Sequence, residues 1–273
     1  MTMYVAAYDV ENDACLDGVR RIVEVHEEHK MPATFFIVAR LLEEQGEQYR
    51  KLLGGNARFE IASHSYTHPL LREHRFGRTP APKQTHRREI VESKKRIEDH
   101  FGREVAGFRT PMGFADGLRG APEILQLCDE AGYRYSSSLA WGPHDTVPAL
   151  ILEAFSYAEQ GYPGLWEIPP CGWHENLLKG HNRWDPRPLQ LFPHPVPEAA
   201  VTRCVETPEE EFAVHRVFLD KAAEMGVGHV SLIWHPWSLH RFDPQMQMLE
   251  LVFRHVRQRG LPVGTFGEYA STL

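Results

Sequence analysis

Long hydrophobic runs are missing from this chain: no segment approaches the roughly 20 apolar residues that a membrane-spanning helix needs. Lysine and arginine form no run or stripe, and the net charge is -7, so a nucleic-acid partner has no electrostatic footing. Cysteine is scarce. Cys15, Cys128, Cys171 and Cys204 contain no C-x-x-C, which removes the common thiolate zinc and dithiol redox motifs and leaves buried free thiols as the expectation. The opening MTMYVAAYDV lacks a basic n-region and a cleavage site and passes straight into a strand-like segment, so a cytoplasmic setting is expected. Repeats, low-complexity tracts and a convincing domain boundary are absent too, and 273 residues read as one domain spanning 1–273. A homo-oligomer is neither required nor excluded by these patterns.

What is present is an alternation of short apolar segments and amphipathic ones. Strands are expected at Tyr4–Tyr8, Thr34–Val38, Phe59–Ala62, Val105–Phe108, Tyr133–Tyr135, Leu165–Ile168, His229–Trp234 and Pro262–Phe266. Helices are expected at Asp17–His29, Glu43–Leu53, Thr85–Phe101, Pro122–Ala131, Glu209–Met225 and Gln245–Arg259. Such alternation implies a parallel sheet, and about seven strands in one chain favour a distorted (β/α) barrel over an open sheet. One region breaks the rhythm. Residues 142–197 hold half of the 20 prolines, and Trp141, Trp166, Trp173 and Trp184 fall close by. Proline removes backbone donors, so the stretch is expected to form loops with aromatic anchors over the C-terminal face, not regular core strands. Such loops either cover the barrel or shape a substrate rim.

Four short segments could carry chemistry. Tyr8-Asp-Val-Glu-Asn-Asp13 places three acids where the first strand runs out. They are either a solvated turn before a helix or a hard-oxygen metal ligand beside a carboxylate base. His64-Ser-Tyr-Thr-His68 follows another strand, and two histidines at i and i+4 converge on one ion if the segment opens a helix. Sixteen histidines would give about one such pair on random placement, so position is the stronger signal. Arg109-Thr-Pro-Met-Gly113 ends a third strand, and its turn could expose a backbone N–H as an oxyanion donor. His235, between Trp234 and Pro236-Trp237, ends a fourth and is either a packed histidine or a general acid. In a parallel barrel all these exits share one face, where active sites sit.

Together these segments resemble the polysaccharide deacetylase family of carbohydrate esterases, also called chitooligosaccharide deacetylase-like. The similarity runs from Tyr4 to about Phe266, and its strongest pieces are Ala33-Thr-Phe-Phe-Ile-Val38, Ile61-Ala-Ser-His-Ser-Tyr-Thr-His68, Arg109-Thr-Pro-Met-Gly113 and Ile233-Trp-His235. The resemblance implies a hydrolase of amide bonds, with Asp9 as general base and Glu11, His64 and His68 as ligands of a divalent metal, expected to be zinc. Arg109 would pair with Asp9, the Met112 N–H would join the oxyanion hole, and His235 would be the general acid. The implied substrate is an N-acetylated sugar or glycan precursor. The alternatives are a cyclic amide, imide or ureide, as in the allantoinase-like branch, and a non-catalytic sugar-binding relative. Three departures stand out. Asp-Val-Glu replaces adjacent aspartates, with Asp13 as a rival ligand; Met112 replaces an aromatic; and Tyr135-Ser-Ser-Ser138 lacks the aspartate that tunes the acid histidine, for which Asp145 or Glu167 could substitute.

Overall fold

The computed structural model describes residues 1–75, 79–181 and 196–273. Among the described residues twelve strands form in chain order: β1 (Met3–Val5), β2 (Ala7–Val10), β3 (Ala33–Ile37), β4 (Phe59–Ser63), β5 (Gly107–Phe108), β6 (Tyr135–Ser136), β7 (Phe155–Tyr157), β8 (Tyr162–Glu167), β9 (Cys171–His174), β10 (His229–Val230), β11 (Leu232–Ile233) and β12 (Val263–Gly264). Strands β2, β3, β4, β5, β6 and β8 lie side by side in parallel, and β7 folds back antiparallel on the edge of β8. A parallel bridge from Tyr8 to Trp234 carries the wall on to β11, which pairs with β9. The result is the expected distorted barrel of parallel strands. Its first strand is shared between two levels: β1 pairs with β10 and β12, whereas β2, one residue on, pairs with β3. The segment expected as the last barrel strand, Pro262–Phe266, is therefore reduced to β12 in this lower sheet.

β3 is buried along its whole length, which is why it reads as a continuous apolar run rather than an alternating one. Helices cover the outside. Cys15–Glu28 follows β2 and lays Val19, Ile22, Val23 and His26 on the sheet. Its Gly18 allows the helix Pro236–Phe242 to come close, because a Cβ there would lie 2.2 Å from the Pro236 carbonyl oxygen. The two helices that bracket the ends of β2 and β11 are thus held in direct backbone contact.

The proline-rich stretch is more regular than its composition implies. Besides β8, which answers to the strand expected at Leu165–Ile168, β7 and the buried β9 form within it, so the expectation that the rest is loop is corrected. The reason is where the prolines fall: Pro163 sits near the start of edge-paired β8, and Pro169-Pro170 occupy the link between β8 and β9, so no interior ladder donor is lost. Residues 182–195, with Trp184, lie outside the described residues.

His26 ties the first helix to the first strand. Its Nδ1 meets the Met31 carbonyl at 3.0 Å, so it donates there, and the neutral ring can accept the Tyr8 hydroxyl proton at Nε2, 2.7 Å away. Burial pushes its pKa down to about 4. A folded pKa below the unfolded value means that the unfolded chain takes up the proton first. The associated stability, of order 3 kcal/mol, is present above about pH 6.5 and is lost as the pH falls towards 4. Urea midpoints for His26→Gln should therefore depend less steeply on pH between 7 and 5 than those of the parent. An unchanged slope would refute this account.

Candidate active site

The strand ends bring Asp9, Glu11, His64, His68, Arg109, Met112 and His235 to the wall of one cavity of about 700 Å³. Asp9, last but one in β2, is 5% exposed, and its Oδ1 accepts a 2.7 Å bond from Arg109 Nη1. Burial alone would raise the Asp9 pKa, but the Arg109 guanidinium overrides it and holds the carboxyl below its usual range. Arg109 is fixed in turn: Nη2 donates to Ser137 Oγ at 2.9 Å, and the guanidinium lies over the Phe36 ring at 4.1 Å. The serine run after β6 thus serves the arginine.

Glu11, His64 and His68 form a cluster whose ligand atoms lie within 4.8 Å of one another. His68 Nε2 is 3.2 Å from His64 Nε2 and 3.2 Å from Glu11 Oε2. Donors each about 2.0–2.1 Å from a tetrahedral zinc stand roughly 3.3 Å apart, so the spacing and the N₂O donor set both fit a divalent ion. Second contacts settle which atoms are offered. His64 Nδ1 is engaged by the Arg109 carbonyl at 2.9 Å, which leaves Nε2 for the ion. Trp237 Nε1 donates to Glu11 Oε1 at 2.6 Å and leaves Oε2 inward. Burial holds the His64 pKa down at about 4, so its ring is neutral and able to ligate at neutral pH. Asp13, the rival to Glu11, is exposed and is not part of the cluster. Replacing Trp237 by Phe should weaken the binding of added divalent zinc at this cluster by about 10- to 100-fold, the usual cost of losing an outer partner, if the cluster is a metal site. Competition with a chelating dye measures this, and parent affinity in the variant would sink it.

The histidine pair converges by a different route from the helical one expected. Residues 64–70 form no helix; Ser65 and His68 take positive φ values of 65° and 62°. That left-handed backbone is costly for residues with a Cβ, and Glu89 holds it in place. The Glu89 carboxylate accepts the Tyr66 and Thr67 N–H groups at 3.0 and 2.8 Å and the Thr67 hydroxyl at 2.8 Å. Glu89 belongs to a π-helical turn, Arg88–Glu92, where the predicted helix Thr85–Phe101 widens; such turns often accompany functional sites. Met112 also has positive φ, 70°, and its carbonyl accepts Trp141 Nε1 at 2.5 Å. Gly113 beside it is obligatory, since a Cβ would sit 2.5 Å from that of Ala140.

His235 finds its carboxylate where the sequence did not point. Asp145 lies near His74, and Glu167 is occupied by Tyr157 and by the Ser138 and Leu139 N–H groups; neither meets His235. Glu175 does. Its Oε1 accepts the His235 N–H at 2.7 Å and faces Nδ1 at 3.0 Å. Burial opposes the imidazolium, but Glu11 and Glu175 outweigh it and push the His235 pKa up to about 9. Behind Glu175, Lys179 Nζ lies 3.4 Å from it and 2.9 Å from Glu211, all three fully buried. Glu175 begins a helical turn immediately after β9 and carries no motif of its own, so only the unforeseen strand β9 could have revealed it.

Comparisons with known proteins agree with this architecture. Residues 10–136 match the sequence profile of the family described as polysaccharide deacetylase. A probable polysaccharide deacetylase from Pseudomonas aeruginosa PAO1 superimposes with a TM-score of 0.66 at 16% identity, covering 99% of this chain and 89% of the other. PuuE allantoinase gives 0.63 at 14% identity, with 99% and 88% covered. A CE4-family pseudoenzyme from Bacillus anthracis gives 0.56 at 15% identity, with 98% of this chain covered but only 65% of the pseudoenzyme. A search of curated proteins finds no similar sequence. Among the described residues no helix is long and apolar enough to cross a membrane. The matched segment carries the histidine pair and the arginine turn on the shared barrel fold, so residues 10–136 of this chain are similar to the polysaccharide deacetylase family, whose members are hydrolases acting on carbon–nitrogen bonds other than peptide bonds.

Proposed function

We propose that this chain is a metal-dependent amidohydrolase that removes the acetyl group from an N-acetylated sugar or glycan precursor, with residues 1–273 acting as one catalytic domain. The same barrel serves active and inactive proteins, so the reading rests on the site. Its main support is one juxtaposition: an ionised carboxylate, Asp9, and a histidine that favours its charged form, His235, flank the Glu11, His64 and His68 cluster within a single cavity.

In this reading Glu11, His64 and His68 hold a divalent ion, and the nitrogen-rich donor set favours zinc. Such an ion supplies Lewis acidity, polarising the amide carbonyl and acidifying water. The remaining steps belong to the chain. Asp9 accepts a proton as water adds to the carbonyl carbon, and Arg109 keeps Asp9 ionised beforehand. The Met112 N–H donates to the developing oxyanion. His235, oriented by Glu175, gives its proton to the nitrogen as the C–N bond breaks, leaving acetate and a free amine. A cytoplasmic setting is part of the proposal and favours a nucleotide- or lipid-linked precursor over a mature polymer.

The test is acetate release from a panel of N-acetyl sugars by zinc-loaded, chelated and reconstituted protein. Release that disappears with chelation and returns with zinc is expected. Turnover of cyclic ureides alone would transfer the chain to allantoinase-like chemistry, and sugar binding without release would make it a binding protein.

A further inference from the structure

The cavity extends beyond the catalytic groups, and its outer wall has its own chemistry. The acids lining it are Asp9 and Glu11, the first committed to Arg109 and the second to His68 and Trp237. Two arginines line it as well. Arg109 is spent on Asp9, but Arg241 pairs with no carboxylate among the described residues. Arg241 lies on the helix Pro236–Phe242, four residues after Trp237, so it stands one turn out from the Trp237–Glu11 contact on the same helix face. A cation without a carboxylate partner thus stands on a stretch of wall that contributes no acid.

The position of this stretch says which half of a substrate it meets. His235 caps the same helix and would protonate the leaving nitrogen, so the chain of atoms beyond that nitrogen runs along Pro236–Phe242 towards Arg241. We propose that Arg241 binds an anionic oxygen group, a phosphate or carboxylate, carried by the amine half of the substrate. This deepens the deacetylase reading and rests on it: the substrate class becomes an N-acyl amino sugar that bears an anionic substituent. A guanidinium suits the task because its planar donor fork takes two oxygens of such a group at once.

The experiment compares N-acetylglucosamine with its 1-phosphate and 6-phosphate in the zinc-loaded enzyme, and glucosamine with its phosphates by calorimetry on the same protein. At least one phosphate ester should exceed the neutral sugar in kcat/KM by about ten- to a hundredfold. Arg241→Gln should collapse that ratio, mainly through KM, and Arg241→Lys should restore part of it. Amine binding should show the same preference and the same dependence on Arg241. Equal handling of neutral and phosphorylated sugars by the parent, or a ratio unchanged in Arg241→Gln, would overturn the inference. Absence of acetate release from every sugar would instead strike the deacetylase reading, while the binding arm would still decide whether Arg241 selects an anion.

Discussion

Asp9→Asn is expected to reduce kcat by about 10³- to 10⁴-fold, the upper range for loss of a positioned base, while zinc content stays stoichiometric. The argument is one of shape against charge. Asparagine keeps the size of the side chain, and its carbonyl can still accept the 2.7 Å bond from Arg109. What disappears is the carboxylate that Arg109 holds ionised. The residues proposed to hold the zinc are others, whose ligand atoms close on one another without Asp9. The substitution leaves the Arg109 charge buried beside a neutral amide, so some stability is lost, and kcat must be referred to protein shown to be folded by its near-ultraviolet signal. Metal analysis and kcat together decide. Loss of zinc in proportion to activity would mean that Asp9 acts as a ligand, and a kcat within tenfold of the parent would remove it as the base.

The fold is legible in the sequence because its signals are local. A fully buried parallel strand such as β3 reads as an unbroken apolar run, and strand ends followed by polar loops mark the catalytic face by pattern alone. Asp9, Glu11, His64, His68, Arg109, Met112 and His235 all stand near such ends, and all reach one cavity. The partners of these residues are not legible. Glu89 acts from a helix 21 residues beyond His68, Glu175 from the end of a strand hidden among prolines, and Trp237 through an indole N–H whose target, Glu11, is 226 positions away. Each is a long-range contact set by packing, and packing leaves no periodic trace. Nor can spacing distinguish a helical His-x₃-His from the strained loop that holds it, since the donors are i and i+4 in both. Glu11 and Asp13 differ in direction, which spacing does not show: one side chain joins the histidine cluster and the other faces solvent.

Glu175 carries the other large expectation. It is fully buried, and it meets three residues at once: His235, at its N–H and Nδ1, through Oε1, and the Ser238 hydroxyl and Lys179 through Oε2. Neighbouring positive charge outweighs burial and brings its pKa down to about 2, so it is ionised throughout the working range. Breaking a buried pair from one side typically costs about 3–5 kcal/mol, because the remaining charge stays desolvated. Glu175→Ala should approach that loss of stability, since Lys179 keeps only Glu211 and His235 loses both of its fixed contacts. Glu175→Gln is the sharper variant. Its amide oxygen can still accept from the His235 N–H, so the fold should survive with a smaller loss, but the carboxylate that orients and charges the imidazole is gone. If His235 delivers the proton to the leaving nitrogen, kcat for acetate release should fall by about 10²-fold with KM nearly unchanged. Zinc binding at the proposed site should be retained, because none of Glu11, His64 and His68 is touched. The two quantities separate orientation from mere support of the barrel: a purely structural glutamate would lower folded yield and leave kcat per folded molecule intact, and that outcome would detach Glu175 from the reaction.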